Sequence, residues 1–168
     1  MVEGTYTVFR EVQRFQQKWL WLVILLLVVF TWYSAFEQLV LKRPIGNNPA
    51  SDTGMLIIWL IFGIGLPYVF YSLKLETEVR SDGIYFRFHL IHRRFHRIGL
   101  AEIKHYEART YSAIKEYGGY GIRAGRRGTA YTVSGNRGVQ LELTNGKQIL
   151  FGSQRAEEFV LAIDSICR

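Results

Sequence analysis

The chain has 168 residues, with 21 lysines and arginines against 14 aspartates and glutamates, a formal net charge of +7, and a single cysteine. That length holds one ordinary domain and a short appendage, and one cysteine excludes a disulfide within the chain, in keeping with a reducing compartment. The 49% of hydrophobic residues are distributed unevenly, with a very apolar first half and a polar second half.

In chain order, the segment 1–18 contains "TYTVFREVQRFQQK", with Val8, Val12, Phe15 and Trp19 at helical spacing. Two readings stand: an amphipathic helix lying in a membrane interface, or a segment packed on the later, folded half. Next come two apolar runs. Trp19 to Phe36 and Met55 to Leu73 carry no charged side chain, and each covers about 27 Å or slightly more as a helix, close to the ~30 Å of a bilayer core. They predict transmembrane helices over 19–41 and 55–73, joined by an external loop over 42–54. The first run is longer than the apolar stretch of a signal peptide and no small-x-small cleavage pattern follows it. Trp19, Trp21, Trp32, Tyr33, Trp59, Tyr68 and Tyr71 fall toward the span ends, where amphipathic rings favour the interface. Arg10, Arg14 and Lys18 precede the first span, and Lys74, Arg80, Arg87, Arg93 and Arg94 follow the second. This excess predicts cytoplasmic termini, against a smaller contribution from Lys42 and Arg43 in the loop. "GIGLP" at 63–67 marks a kink or a close helix contact.

Beyond the spans, residues 74–168 read as short strands: "LETEVR", "GIYFRFHLI", "IKHYEARTY", "TAYTV", "VQLEL" and "QILFG", separated by turn signals such as "SDG" and "TNGK". Ser153 is placed to cap a closing helix through "QRAEEFVLAIDSICR", with Glu157 and Glu158 in its first turns and Phe159, Ile163 and Ile166 on one face. Cys167 reads as a half-buried small apolar residue of that helix. This order predicts a curved antiparallel sheet or split barrel with one end plugged.

Two basic stretches interrupt the strands. "KEYGGYGIRAGRRGTAYTVSG", Lys115 to Gly135, lacks the glycine and lysine order of a Walker loop and of a dinucleotide fingerprint. It is either a long inter-strand excursion in which Tyr117, Tyr120 and Ile122 pack inward, or an anion site built from Arg123, Arg126 and Arg127. "HLIHRRFHRI" brings Arg93, Arg94 and Arg97 near a tethering Lys74, where anionic headgroups are candidate partners. His92 and His96 have i, i+4 spacing, but the flanking alternation indicates strand or turn, so they read as solvated or stacking side chains and not as metal ligands.

"EYGGYGIR", "AYTVSGNRGVQLEL" and "ILFGSQRAEEF", with "EVQRFQQKWLW" ahead of the first span, resemble segments of small uncharacterised prokaryotic membrane proteins. Those have two spans followed by a bacterial pleckstrin-homology-like (PH-like) domain. The resemblance implies an α+β membrane protein with a two-helix hairpin and a PH-like antiparallel split β-barrel over 74–168, capped by a C-terminal helix. It implies a prokaryotic cell membrane and no activity. No constellation for catalysis, metal or cofactor stands out in the sequence. The expectation is a non-enzymatic membrane-anchored binding or scaffold module without cofactors. Its PH-like domain would engage protein partners, itself or anionic lipid, and nucleic acid is not expected. The alternative is a homo-oligomeric pore, although the span interiors offer only Thr31, Ser34 and Ser72 as polar side chains.

Overall fold

The computed structural model describes residues 6–125 and 128–167. It divides into two compact units: Gln16–Ser72 forms one, and the residues before and after it form the other.

The helical unit contains α1, Lys18–Val40, and α2, Asp52–Ser72. Both are long and apolar enough to cross a membrane by length and composition, with mean hydropathies of 2.1 and 2.0. Ser51 caps α2 by accepting from the Gly54 amide at 3.1 Å, which is why the helix begins a few residues before its apolar run. The polar residues of α1 turn inward. Thr31, Ser34 and Gln38 are buried while most of the leucines, valines and isoleucines around them are not. Thr31 returns its hydroxyl hydrogen to the Leu27 and Val28 carbonyls, and Gln38 donates to the Ala50 carbonyl at 2.7 Å. In α2, Trp59–Gly65 widens to a π-helical turn. There the Gly63 carbonyl accepts from the Trp32 indole at 3.3 Å, and a Cβ at Gly63 would come within 3.3 Å of the Thr31 hydroxyl and of the Trp32 indole nitrogen on α1. The "GIGLP" stretch is therefore a close helix contact.

The second unit contains the first surprise. Thr7–Arg14 is a strand, β1, and pairs antiparallel with β2, Lys74–Arg80, with Arg14 opposite Lys74. The helical spacing of Val8, Val12 and Phe15 is overruled by a period of two in which Phe9, Glu11 and Gln13 face inward. Residues 7–14 are thus no interfacial helix, and the reading in which they pack on the folded half is the one realised. Both helices are inserted between two paired strands.

β2 continues through a tight turn into β3, Gly83–Phe88, which pairs with β4, His96–Gly99, completing a sheet of order β1-β2-β3-β4. A second sheet has the order β5-β8-β9-β7-β6, from β5 (Ile103–Thr110), β6 (Gly121–Gly125), β7 (Gly128–Thr132), β8 (Arg137–Leu143) and β9 (Gln148–Gly152). β7 and β9 run parallel, so the fold is mixed and not the all-antiparallel one expected. No ladder joins the two sheets among the described residues, and they do not close into a barrel. A short helix, α3, covers Ala113–Tyr117 and the last helix, α4, covers Ala156–Ile166.

The main core draws Val79, Ile84 and Phe86 from the first sheet, Val139, Leu141 and Phe151 from the second, and Phe159 and Ile163 from α4. Each such side chain contributes roughly 1.5–3 kcal/mol by leaving water. Glu157 and Glu158 do lie in the first turn of α4, but Ser153 is not its N-cap residue. Its hydroxyl donates to Glu11 at 2.6 Å and accepts from the Arg155 amide at 3.0 Å. Cys167 is exposed, because the helix ends before it and the apolar face closes at Ile163 and Ile166.

Candidate functional site

The first candidate, the glycine and arginine stretch, is more regular than a long excursion. Ser112 caps α3 by accepting from the Lys115 amide at 3.3 Å, and Gly118 ends it at φ +72°. The hairpin β6–β7 follows. Gly128 is required where β7 meets β9, since a Cβ there would lie 2.0 Å from the Gln148 carbonyl oxygen. Tyr117 is buried with Tyr111, Ala130 and Leu150, Tyr120 packs against them, and Ile122 packs against Leu75, Phe88 and Val133. Arg109 ties α3 down, bonding Glu116 at 2.9 Å and Gln140 at 3.0 Å. Burial raises the Tyr111 hydroxyl well above the usual phenol range. Arg123 is exposed and donates to the Tyr120 carbonyl at 3.2 Å; Arg126 and Arg127 lie outside the described residues.

The second candidate is the β3–β4 loop, His89 to Phe95. Its location follows from register. Leu75 stands opposite Phe88, and the His89 amide donates to the Lys74 carbonyl at 2.8 Å. The loop therefore leaves the sheet at the end where the chain joins α1 and α2, while the β2–β3 turn at Ser81 and Asp82 is at the other end. Leu90 and Ile91 are exposed at its tip, and Arg93 and Arg94 are exposed beside them. Beneath the tip, His92 is half-buried; its Nδ1 accepts from the Phe88 amide at 3.3 Å and its ring lies 4.3 Å from that of His96. Burial, then the charge of His96, depresses the His92 pKa. His96 stacks on Phe86 at 5.4 Å. Arg97 differs from Arg93 and Arg94 in its contacts: its guanidinium reaches back to the Asp82 carbonyl and carboxylate, at 2.9 and 3.2 Å, toward the opposite end of the sheet.

Between these ends runs a set of ionic contacts that sequence reasoning missed. Glu76 and Glu78, on β2, are buried. Lys74 and Arg87 hold Glu76, at 2.8 and 2.5 Å, and Arg10 and Arg80 hold Glu78, at 3.3 and 2.6 Å. Burial works to raise the Glu76 carboxyl, but the hydrogen bonds and charges of Lys74 and Arg87 outweigh it and hold the group below the usual carboxylate range. Arg87 also stacks 4.6 Å over Phe95. On the inner side of β1, Glu11 accepts from Ser153 and from the Gln154 amide at 2.9 Å, and Gln13 donates to the Gly152 carbonyl at 2.5 Å. The alternation of polar residues in "REVQR" is the signal for the β1 contacts, as that of Glu76 and Glu78 in "LETEVR" is for those of β2, and in β1 a polar inward face disguises the strand.

Of the aromatic residues assigned to a membrane interface, Trp19, Trp32, Tyr33, Tyr68 and Tyr71 are exposed, and Trp21 and Trp59 are partly so. Trp32 and Trp59 also meet edge to face at 5.0 Å, which makes them packing residues of the helix pair as well.

The sequence profile of a family described as "Family of unknown function (DUF6141)" matches residues 2–167. The chain belongs to this family. The DUF6141 match spans β1, both helices and both sheets. No curated protein matches the chain. The DUF6141 description names neither a fold nor an activity.

Proposed function

We propose that this DUF6141 protein is a membrane-anchored, non-enzymatic binding or scaffold module of a prokaryotic cell membrane. In this reading α1 and α2 span the bilayer and the β-rich unit is its binding part. The single observation that carries the reading is the pairing of β1 with β2 across the two apolar helices. Strands paired in one sheet must lie on one side of a membrane, and two spans return the chain to the side it left. The surplus of Arg10, Arg14, Lys18, Lys74 and Arg87 around the two junctions favours the cytoplasm for that side. A PH-like ancestry agrees with two sheets closed by a C-terminal helix, and such a fold recognises partners through loops and sheet edges. Candidate partners are another protein, a second copy, or anionic lipid.

The pore alternative is weakened by the helix pair itself. Thr31, Ser34 and Gln38, the uncharged polar side chains in the second half of α1, are buried within the unit and are not free to line a channel, which leaves Glu37, near the helix end, as its one acidic group. The test is reconstitution of the full chain in planar bilayers with native mass spectrometry of the same preparation. The binding reading predicts no ion conductance and co-purifying lipid or protein; a conducting ring of defined size overturns it.

A further inference from the structure

We infer that the β3–β4 loop is a second membrane contact of the β-rich unit, its tip entering the interface of an anionic bilayer. Leu90 and Ile91 supply the apolar wedge, with Arg93 and Arg94 on lipid phosphates. This inference rests on the anchoring reading above and adds to it where the domain touches lipid and through which side chains.

Four observations converge. The register of β2 with β3 and the bond from His89 to Lys74 set the loop at the end of the sheet where the chain enters α1 and returns from α2, a few residues along the chain from both helices. Leu90 and Ile91 are 50% and 57% exposed, adjacent apolar side chains at the end of a loop where water gains nothing from them. Leu90 adopts φ +70°, a left-handed conformation that is a genuine outlier for a bulky residue and that is held although its side chain stays exposed. Among the described residues no ion pair holds Arg93 or Arg94, whereas the cations nearest them on the sheet, Lys74 and Arg87, are committed to Glu76. Two free guanidiniums beside two exposed apolar side chains match the chemistry of a headgroup layer: bidentate bonds to phosphate above, hydrocarbon below.

The experiment uses the full chain with Cys167→Ser, reconstituted in vesicles of phosphatidylcholine with or without phosphatidylglycerol. Ile91→Cys, Ser81→Cys or Val29→Cys carries an environment-sensitive dye, and spin-labelled lipid is the quencher. The dye at position 91 is expected to be quenched in vesicles containing phosphatidylglycerol, and the dye at 81, at the opposite end of the sheet, is expected to remain unquenched. Arg93→Gln with Arg94→Gln should lower the docked-to-undocked ratio about twenty-five-fold at low salt, about fivefold per arginine, and Lys at both positions should retain most of the docking. An unquenched dye at 91 with a quenched dye at 29 overturns this inference and leaves the anchoring intact. An unquenched dye at 29 overturns the anchoring and this inference with it.

Discussion

The two units of the chain are folded inside out with respect to each other. In the helices, Leu26 and Phe30 are 61% and 62% exposed while Thr31, Ser34 and Gln38 are buried. In the β-rich unit Phe151 and Phe159 are wholly buried, and most lysines and arginines face out. One rule produces both patterns if the two units sit in different solvents: side chains unlike the surroundings go inside. The buried carboxylates on β1 and β2 follow the same rule by another route, since each is enclosed with its own cations or donors.

The contrast can be broken most forcefully in the β-rich core. Phe159→Ala removes a ring that stacks on Phe9 at 5.1 Å and should cost about 3–5 kcal/mol in denaturant unfolding followed by near-ultraviolet dichroism. Leu26→Lys should cost about 3 kcal/mol of membrane insertion, read as the fraction of chains retained in bilayers. An exposed leucine in a water-soluble unit would tolerate that change, so an unaltered retained fraction contradicts the assignment of solvents.

The helices, the last helix and most strands were legible because their signals are local. A long uncharged run, the Asn145–Gly146 turn and the apolar face at Phe159 and Ile163 each declare themselves within a few residues. β1 was not, since its partner lies beyond both helices and its inward positions hold Glu11 and Gln13 in place of hydrophobes. The parallel pairing of β7 with β9 is likewise invisible to a local reading. In the candidate site the basic residues were legible as a composition, but only register separated Arg93 and Arg94 from Arg97, whose charge is used by Asp82.

Smaller effects sharpen the comparison at the seam between β1 and the rest of its unit. Glu11→Ala leaves the Ser153 hydroxyl and the Gln154 amide without their acceptor and should cost about 2 kcal/mol. Amide exchange should show the loss first in β1, and unchanged protection there would contradict the role given to Glu11. The smallest effect concerns His92. Its folded pKa lies below the ordinary 6.5, so the unfolded chain takes up the proton more readily. The stability it contributes is complete above about 6.5 and is lost as pH falls through the folded value. Protonation also ends acceptance from Phe88, with His96 and Tyr131 the nearest titratable rings. Faster exchange of the Phe88 amide below that pH is the expected sign, and it should be absent in His92→Phe.

The central claim is that paired strands on one side of a bilayer flank two spans. Labelling of intact cells with a membrane-impermeant thiol reagent tests it most directly, using the exposed native Cys167 and, in a Cys167→Ser background, Val8→Cys or Asn48→Cys. The account predicts that Asn48→Cys reacts from outside while Val8→Cys and Cys167 react only after permeabilisation. Reaction of Val8→Cys on the same side as Asn48→Cys would contradict it.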